Sequence, residues 1–288
     1  MTEALQPMAP LAAGTRALVL GLGRTGLSAA RYLDRKGLTV RVADTRANPP
    51  GADALRSNVP AAELRTGAFS SSLLEDVAQV VISPGLSLQE SIVRTARERG
   101  CPVVGDIELF AREAPAPIAA ITGTNGKSTV TTLVAEIANA GGRRAVAGGN
   151  LGEPALDLLE RPTPDLYVLE LSSFQLETTC SLRTVASTVL NVTPDHMDRY
   201  ASLEAYGAAK ARIFDGCDVA VINADDPAVR GMPRPGQSVV SFSLEANDAD
   251  YTLGHSPAPM ILRRGEPLLP LAAMRLQGLH NAANAMAA

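Results

Sequence analysis

The residue types that indicate chemistry most clearly are Lys127 and Ser128, near the middle of the chain. A turn bounded by Gly123 and Gly126 precedes them, an apolar run at 117–121 comes before the turn, and apolar residues at helical spacing follow. Strand, glycine turn, Lys-Ser and helix form the layout of a phosphate loop, in which backbone N–H groups and the lysine hold phosphates and the serine ligates Mg²⁺. Because two residues separate the glycines where the usual pattern has four, an ordinary strand-to-helix turn remains the alternative.

A second glycine motif, at residues 21–26, follows the apolar run 16–20, and Asp44 stands at the end of the next predicted strand. This spacing is typical of dinucleotide binding, with Asp44 on a ribose hydroxyl. Two other interpretations stay open: a tight turn that binds nothing, and a different nucleotide, for which Thr45 and Arg46 offer donors. Two nucleotide-type loops, one in each half of the chain, argue against a simple dehydrogenase and favour a two-substrate enzyme that uses ATP.

Two further polar residues follow predicted strands. Glu170 comes after the apolar run 165–169, and a carboxylate placed there beside a phosphate loop is a usual Mg²⁺ ligand. The alternative for Glu170 is a helix-capping role. His196 lies in a polar turn after the run 184–190, and its type and position are compatible with either a ligand role or a structural one.

Two predicted helices carry the remaining candidates. Lys210 lies among alanines in a helix predicted over 202–214, and by default such a lysine is on the surface. Asn281 and Asn284 are three residues apart in an alanine-rich segment, so they share one helix face. From that face their amides are able to hydrogen-bond a purine base.

The elements that must position these residues indicate an α/β protein of two domains. The 288 residues are 46% hydrophobic and 19% charged, which suits two domains of ordinary size, each with a core. Residues 1–114 predict a Rossmann-like domain with a parallel sheet, and the prolines at 115–117 mark the boundary. Residues 115–288 predict a P-loop ATPase-type α/β domain with a mostly parallel sheet and a smaller antiparallel portion.

Composition narrows the class of partner. The net charge of −4 gives no bulk attraction to nucleic acid. The three cysteines are far apart and lack metal-ligand spacing, which suits a reducing compartment. The first residues do not form a signal peptide, and no apolar run reaches spanning length. We therefore expect a cytoplasmic protein with neither a membrane nor a nucleic-acid partner, and we expect a monomer.

Together these motifs resemble the Mur ligase family of peptidoglycan synthesis. The marks of the family are the loop at 123–129, Glu170 with Ser172 and Ser173, His196 in the run 191–196, and His280 with Asn281 and Asn284. The motifs at 21–26, 44–46, 83–85, 105–110 and 172–175 narrow the resemblance to the members that add D-glutamate. Such a member is an ATP-dependent ligase whose partners are UDP-N-acetylmuramoyl-L-alanine, ATP and D-glutamate.

The resemblance implies a role for each motif position. The UDP substrate would contact Arg24, Thr25, Asp44, Thr45, Arg46, Ser83, Pro84, Gly85, Asn150, Ser172, Gln175 and His196. ATP would contact Gly123, Thr124, Asn125, Gly126, Lys127, Ser128, Thr129, Asn281 and Asn284. Two Mg²⁺ ions would be held, one by Ser128 and Glu170 and one by His196 and Lys210. Lys210 would be carbamylated by CO₂, because a bare lysine cannot ligate a metal. The implied catalytic residues are Lys127, Glu170, His196 and Lys210.

The implied reaction has two steps. The terminal alanine carboxylate attacks the γ-phosphate of ATP to give an acyl phosphate and ADP, and the amine of D-glutamate then expels phosphate. Members of the family carry a third, C-terminal domain with the D-glutamate site. We therefore expect this chain to be a fragment that binds the UDP substrate and does not complete ligation.

Three alternatives remain. One is another Mur-type ligase or a folylpolyglutamate-synthase-like ligase, against which the motifs at 44–46 and 105–110 weigh. A nicotinamide-dependent oxidoreductase would rest on residues 21–26 alone and would leave the loop at 123–129 unexplained. The last is a binding module without catalytic activity.

Overall fold

A computed structural model of the protein describes residues 11–254 and 258–288, which form two compact units. The first unit contains the chain up to Ala114 together with Glu153–Pro162 and Glu177–Ser181. The second unit contains Pro115–Gly152, Thr163–Leu176 and Leu182–Ala288. Two short later segments of the chain thus belong to the first unit.

The first unit is built on a five-stranded parallel sheet. Its elements are β1 Arg16–Leu20, α1 Arg24–Arg35, β2 Thr39–Asp44, α2 Ala52–Asn58, β3 Glu63–Thr66, β4 Val77–Ile82, α3 Ser91–Glu98, β5 Val103–Val104, α4 Asp106–Glu113 and, from the later chain, α6 Ala155–Leu158, with a 3₁₀ turn at Ser71–Leu74. The strand order is β3-β2-β1-β4-β5. The order reverses between β1 and β4, and ligands of open parallel sheets bind at the carboxyl ends of the strands at such a point.

Apolar strands form the core of this first unit. Leu18 and Leu20 of β1 and Val80 and Ile82 of β4 are buried, and helix α3 packs against them through Ile92 and its neighbours. Strands that are covered on both faces by helices need near-continuous apolar runs, which β1 and β4 have. The sheet is therefore a rigid support for the loops at its edge.

The second unit is built on a nine-stranded sheet. Its elements are β6 Ile118–Thr122, α5 Lys127–Ala140, β7 Ala145–Gly149, β8 Leu166–Glu170, α7 Ser173–Leu176, β9 Thr184–Val189, α8 Leu203–Ala211, β10 Cys217–Asn223, α9 Pro227–Arg230, β11 Ser238–Phe242, β12 Tyr251–Gly254, β13 Met260–Arg263, β14 Glu266–Pro270 and α10 Leu279–Ala287, with 3₁₀ turns at Arg212–Phe214 and Leu271–Ala273. The strand order is β14-β13-β12-β11-β10-β9-β6-β8-β7.

The pairing of these strands confirms the predicted fold class. Seven neighbouring strands of the sheet run parallel, in the order β12-β11-β10-β9-β6-β8-β7. Strand β13 pairs antiparallel with both β12 and β14. The sequence analysis predicted this smaller antiparallel portion of the sheet. It also extended one helix over 202–214, whereas α8 ends at Ala211 and a 3₁₀ turn covers Arg212–Phe214.

The central position of β6 determines where the predicted phosphate loop lies. Its neighbours are β8 on one side and β9 on the other, and Ile121 pairs with Glu170 and with Thr188. The loop after β6 is therefore flanked by the carboxyl ends of both neighbours. Helix α5 packs on this sheet through Val130, in an apolar cluster that includes Ile121 and Met286 of α10. Among the described residues, no helix combines the length and hydrophobicity needed to cross a membrane.

Candidate active site and nucleotide-binding loops

The loop between β6 and α5 has the backbone of an anion cradle. Gly126 precedes α5 with φ 85°, a left-handed conformation that favours glycine, and a Cβ there would lie 2.7 Å from Asn284 Oδ1. No side chain in the described chain caps the amino end of α5. The first N–H groups of a helix have no partner inside it, so this end offers N–H donors and a partial positive charge to an anion.

Lys127 lies across its own loop. Its Nζ donates hydrogen bonds to the carbonyl oxygens of Gly123, at 3.0 Å, and Thr124, at 2.9 Å. Both acceptors are neutral, and a charged phosphate oxygen forms a stronger bond with an ammonium group than a carbonyl does. The side chain is therefore held beside the cradle by contacts that a phosphate can replace.

Ser128 and Glu170 meet at the edge of the second sheet. Ser128 Oγ donates to Glu170 Oε2 at 2.7 Å, and Asn150 Nδ2 donates to Glu170 Oε1 at 2.6 Å. Glu170 is 2% exposed, and the amide of Asn150 fixes the orientation of its carboxylate. A hydroxyl and a carboxylate are hard oxygen donors, and Mg²⁺ in nucleotide sites is held by one or two such groups together with phosphate oxygens. This pair therefore fits one Mg²⁺.

Lys210 is buried, so the default expectation of a surface lysine was wrong. The residue is 1% exposed, and its Nζ donates to the carbonyl oxygen of Gly123 at 2.8 Å. The same Nζ lies 4.4 Å from the centre of the Tyr206 ring. Burial, and secondarily the charge of Lys127, lower the pKa of Lys210 to about 7, against an opposing effect of Asp195. Helix α8 thus presents an amine that is partly neutral near pH 7.

His196 is exposed and has a left-handed backbone, with φ 54°. Its ring lies 5.0 Å from the ring of Phe174 and 6.3 Å from the ring of Tyr206, between centroids. Since Tyr206 also lies under Lys210, the two predicted ligands of a second ion approach the same tyrosine. Among residues 11–254 and 258–288, no group of three or more His, Cys, Asp and Glu side chains is arranged to hold a metal ion.

Ser172 and Gln175 hydrogen-bond each other at the start of α7. Gln175 Oε1 accepts from the N–H and the hydroxyl of Ser172, at 3.1 and 3.2 Å, and Ser172 Oγ accepts from the N–H of Gln175 at 3.2 Å. This reciprocal bonding resembles a capping box. It holds both side chains just beyond the carboxyl end of β8, two and five residues after Glu170.

Asn281 and Asn284 lie on one face of α10, as predicted. Asn284 Nδ2 donates to Asn281 Oδ1 at 3.2 Å, and Asn281 Nδ2 donates to the carbonyl of Gln277 at 2.9 Å. Asn284 also reaches Gly126 of the phosphate loop. The two amides therefore extend from the loop along the surface of α10.

In the first unit, the glycine turn closes against β4. A Cβ on Gly26 would lie 1.8 Å from the carbonyl oxygen of Gly21, so only glycine fits there. The hydroxyl of Ser83, which follows β4, donates to the same carbonyl at 3.1 Å. The predicted residues Arg24 and Thr25 begin α1, and Pro84 and Gly85 continue from Ser83, so all of these lie at the switch point of the sheet.

Asp44 is engaged by groups of the protein itself. Its two carboxylate oxygens accept four hydrogen bonds, one from the N–H of Leu22 at 2.7 Å and three from Arg46, at 2.9 Å from its N–H, 2.8 Å from Nε and 2.6 Å from Nη2. The side-chain bonds from Arg46 are the largest cause of a lowered pKa of Asp44, about 2, and burial opposes them. A carboxylate has about four lone-pair sites, so Asp44 has little capacity left for a ribose hydroxyl and instead holds Arg46 at the sheet edge.

Two residues at the second loop had no predicted role. Tyr206 is 1% exposed and lies under Lys210, while Asn191 hydrogen-bonds the backbone of the loop. The one sequence signal for Asn191 is its place directly after the predicted strand that leads to His196. Tyr206 lies four residues before Lys210, which is one helical turn.

Comparison with known proteins gives consistent matches along the chain. Residues 121–288 match the family described as the Mur ligase middle domain, and residues 15–105 match the Mur ligase MurD-like N-terminal domain. The UDP-N-acetylmuramoylalanine–D-glutamate ligase of Nitrosococcus oceani is 51% identical over 98% of this chain and 63% of its own length. The enzyme of the same name from Escherichia coli strain K12 is 49% identical over 96% of this chain and 62% of its own length.

Solved structures show the same fold at low sequence identity. The UDP-N-acetylmuramate:L-alanyl-γ-D-glutamyl-meso-diaminopimelate ligase from Neisseria meningitides has a TM-score of 0.63 at 18% identity and covers 96% of this chain and 92% of that one. The UDP-N-acetylmuramate–alanine ligase from Thermotoga maritima has a TM-score of 0.58 at 22% identity, over 94% of this chain and 63% of that one.

The share of this chain that the matches cover establishes its family, and the share of the relatives that the chain covers is smaller. The middle-domain match alone covers more than half of the chain. The chain spans about 63% of the length of the curated relatives that it matches. With the cradle at α5 and the Ser128–Glu170 pair in place, the conclusion is that the chain belongs to the Mur ligase family.

Proposed function

We propose that the protein is an ATP-dependent ligase that adds D-glutamate to UDP-N-acetylmuramoyl-L-alanine through an acyl phosphate. The observation that carries the proposal is the Ser128–Glu170 pair at the phosphate loop, in a chain about half identical to relatives named as that ligase. Binding of ATP and of the UDP substrate is proposed for this chain of 288 residues, and ligation for the protein as a whole.

The first unit is proposed to bind the UDP part of the substrate. Arg46 supports this role, because Asp44 holds its backbone and its guanidinium while the side chain stays half exposed at the sheet edge. A guanidinium in this position matches carbonyl and phosphate oxygens. The other residues proposed for this site are Arg24, Thr25, Thr45, Ser83, Pro84 and Gly85.

The second unit is proposed to bind ATP. The N–H groups at the start of α5 and the ammonium of Lys127 would hold its phosphates, and Asn281 and Asn284 would lie beside the nucleoside. Ser128 and Glu170 would hold one Mg²⁺, which neutralises charge on the phosphates when it is bound. The further contacts proposed within the loop are Gly123, Gly126 and Thr129, together with the side chains of Thr124 and Asn125.

A second ion is proposed at His196 and Lys210. The buried amine supports this proposal, because a pKa of about 7 leaves part of the Lys210 population with a neutral nitrogen near neutral pH. That nitrogen is able to attack the carbon of CO₂ and release a proton, which yields a carbamate. The carbamate is an oxygen-donor anion, as Mg²⁺ requires.

In the reaction, the residues of this chain position and neutralise groups. Asn150, Ser172, Gln175 and His196 are proposed to hold the alanine end, whose carboxylate attacks the γ-phosphate. Lys127 is proposed to neutralise the negative charge that develops on the transferred phosphoryl group. The amine of D-glutamate then attacks the acyl carbon, and phosphate leaves.

The experiment is calorimetric titration of UDP-N-acetylmuramoyl-L-alanine into the chain. We expect one saturable site in wild type. In Arg46→Ala we expect the affinity to be weaker by about tenfold or more. Arg56→Ala is the control, because Arg56 lies on α2 in the same unit and makes only an exposed pair with Asp53. Saturable binding of NADH in place of the UDP substrate would contradict the proposal.

The compartment and the assembly state are also proposals. We propose a cytoplasmic monomer, and the support for the compartment is that Cys101, Cys180 and Cys217 are unpaired thiols. Light scattering on a purified sample tests the assembly state, with 30.0 kDa expected for one chain. A mass twice that value would contradict it.

A further inference from the structure

Asn191 joins the strand next to the phosphate loop to the loop itself. Its Oδ1 accepts hydrogen bonds from the N–H groups of Thr124, at 3.1 Å, and Asn125, at 2.8 Å. Its Nδ2 donates to the carbonyl oxygen of Asn125 at 3.1 Å, and its own carbonyl lies 3.0 Å from the N–H of Thr124. The oxygen and the nitrogen of this amide side chain therefore both hydrogen-bond the backbone of two consecutive loop residues.

The segment that carries Asn191 is itself fixed on both sides. Before it, Leu190 donates its N–H to Thr122 at 2.9 Å and accepts from Asn223 Nδ2 at 3.0 Å. After it, Val192 donates its N–H to Asp226 Oδ2 at 2.8 Å. Asn223 ends β10 and Asp226 follows it, so β9 and β10 both support the position of this amide. A side chain held in this way is a rigid brace and not a mobile surface group.

The brace divides the N–H groups of the loop into two sets. The N–H of Thr124 points to both the backbone carbonyl and Oδ1 of Asn191, and the N–H of Asn125 points to Oδ1, so neither points to a phosphate at the same time. Helix α5 begins at Lys127, and the first N–H bonded within it is that of Val130, which donates to Gly126 at 3.0 Å. The N–H groups of Lys127, Ser128 and Thr129 belong to the helix end that has no internal partner. They form the set that remains for an anion.

We propose that Asn191 is a positioning residue for ATP, which fixes Thr124 and Asn125 so that only the N–H groups at the start of α5 meet the phosphates. The inference rests on the proposed function of the loop in binding ATP. It assigns Asn191 no contact with the nucleotide. Its effect is exerted through the backbone of the loop, so its removal should weaken phosphate binding without changing the other site of the chain.

The first test is calorimetric titration of the whole chain with MgADP. We expect Asn191→Ala to weaken binding about tenfold or more, while its affinity for UDP-N-acetylmuramoyl-L-alanine stays within about twofold of wild type. Asn139→Ala is the matched control. The amide of Asn139 makes the same two-ended contact with one backbone residue, Ala145, at 2.9 and 3.2 Å, and it lies at the other end of α5. This control should bind MgADP like wild type.

The second test is amide hydrogen exchange, which reads each set of N–H groups directly. In the free wild-type chain, Thr124 and Asn125 should be protected, and Lys127, Ser128 and Thr129 should gain protection only with MgADP. Asn191→Ala should lose the protection of Asn125, whereas Thr124 keeps its bond to the backbone carbonyl at position 191. Asn191→Asp should keep the protection of both, because the carboxylate retains an acceptor for both N–H groups. A role in overall stability alone would change neither set selectively.

The outcomes separate this inference from the function on which it rests. If wild type does not bind MgADP, both are overturned. If wild type binds normally and Asn191→Ala stays within about twofold of it, only the role of Asn191 is overturned. Fast exchange of Thr124 and Asn125 in the free wild-type chain would overturn it as well.

Discussion

The side chains of Lys127 and Lys210 meet at one atom, the carbonyl oxygen of Gly123, which accepts from their Nζ atoms at 3.0 and 2.8 Å. When both amines are protonated, two like charges are thus held close together on a neutral group. Their repulsion adds to burial in lowering the pKa of Lys210 to about 7. A bound phosphate would offer Lys127 a stronger partner than this carbonyl, so we expect Lys127 to turn away from Gly123 when nucleotide binds.

Replacing Lys127 tests this arrangement. Lys127→Ala should weaken MgADP binding about tenfold or more, because a charge-assisted bond to phosphate is lost. Folding should be retained, since the lysine only donates to carbonyls at a half-exposed position. Calorimetry gives the affinity and thermal unfolding the stability. Lys36→Ala, which removes an exposed lysine paired with Glu113 in the first unit, is the control. Equal affinities of the two variants would contradict the assignment.

Much of the proposed phosphate site was predictable, because it depends on strand ends. Parallel strands present their carboxyl ends at one edge of a sheet. Ser128 follows β6 closely and Glu170 ends β8, so their meeting at 2.7 Å follows once β6 and β8 are neighbours. The glycines at 21 and 26 were predictable for a similar reason, since the turn that they form is local in sequence.

The parts that were not predictable depend on side-chain packing between distant segments. Lys210 lies among alanines, and nothing local indicates that α8 would bury its amine against Gly123, 87 residues earlier. The amide of Asn191 contacts a loop 66 residues away. Asp44 was predicted to hold a ligand, and the sequence does not show that Arg46 saturates its carboxylate. Such contacts require the tertiary fold before they exist.

The carboxylate of Glu170 is expected to make nucleotide binding depend on Mg²⁺. Glu170→Gln keeps an acceptor for Asn150 and a polar partner for Ser128, so the local structure should survive. It removes the negative charge that a hard cation needs. Calorimetry with ADP should show that Mg²⁺ increases the affinity of wild type and has little effect on the variant. Glu136→Gln, on the exposed side of α5, is the control. A variant with wild-type Mg²⁺ dependence would exclude Glu170 as a ligand.

Gly126 is expected to matter for binding more than for stability. Gly126→Ala places a Cβ at φ 85°, which costs about 1–2 kcal/mol, and displaces the flexible end of Asn284. Gly142→Ala is the matched control, because Gly142 has φ 81° with no heavy atom within 4 Å of a Cβ. Thermal unfolding should show similar losses in both variants. MgADP titration should show weakened binding only in Gly126→Ala, and a similar loss in Gly142→Ala would contradict a role for Asn284.

The ion pair of Asp44 and Arg46 is expected to make the stability of the first unit depend on pH in the acid range. Bonds from the Arg46 side chain are the largest cause of the lowered pKa of Asp44, from an ordinary value of 3.8 to about 2. A carboxyl group whose pKa is lower in the folded than in the unfolded state stabilises the fold above the unfolded pKa. Between about pH 4 and pH 2 the unfolded chain binds more protons, so this stabilisation is lost as the pH falls.

Urea unfolding at a series of pH values measures this contribution. The free energy of unfolding of wild type should decrease from about pH 4 to pH 2, and Asp44→Asn should lack that part of the decrease. Asp44→Asn should also be less stable at neutral pH, because one neutral amide oxygen cannot accept all the bonds from Leu22 and Arg46. Asp53→Asn is the control, since Asp53 is fully exposed beside Arg56, and it should keep the wild-type profile. If Asp44→Asn keeps that profile too, the carboxylate does not brace Arg46, and the proposed uridine diphosphate site loses its support.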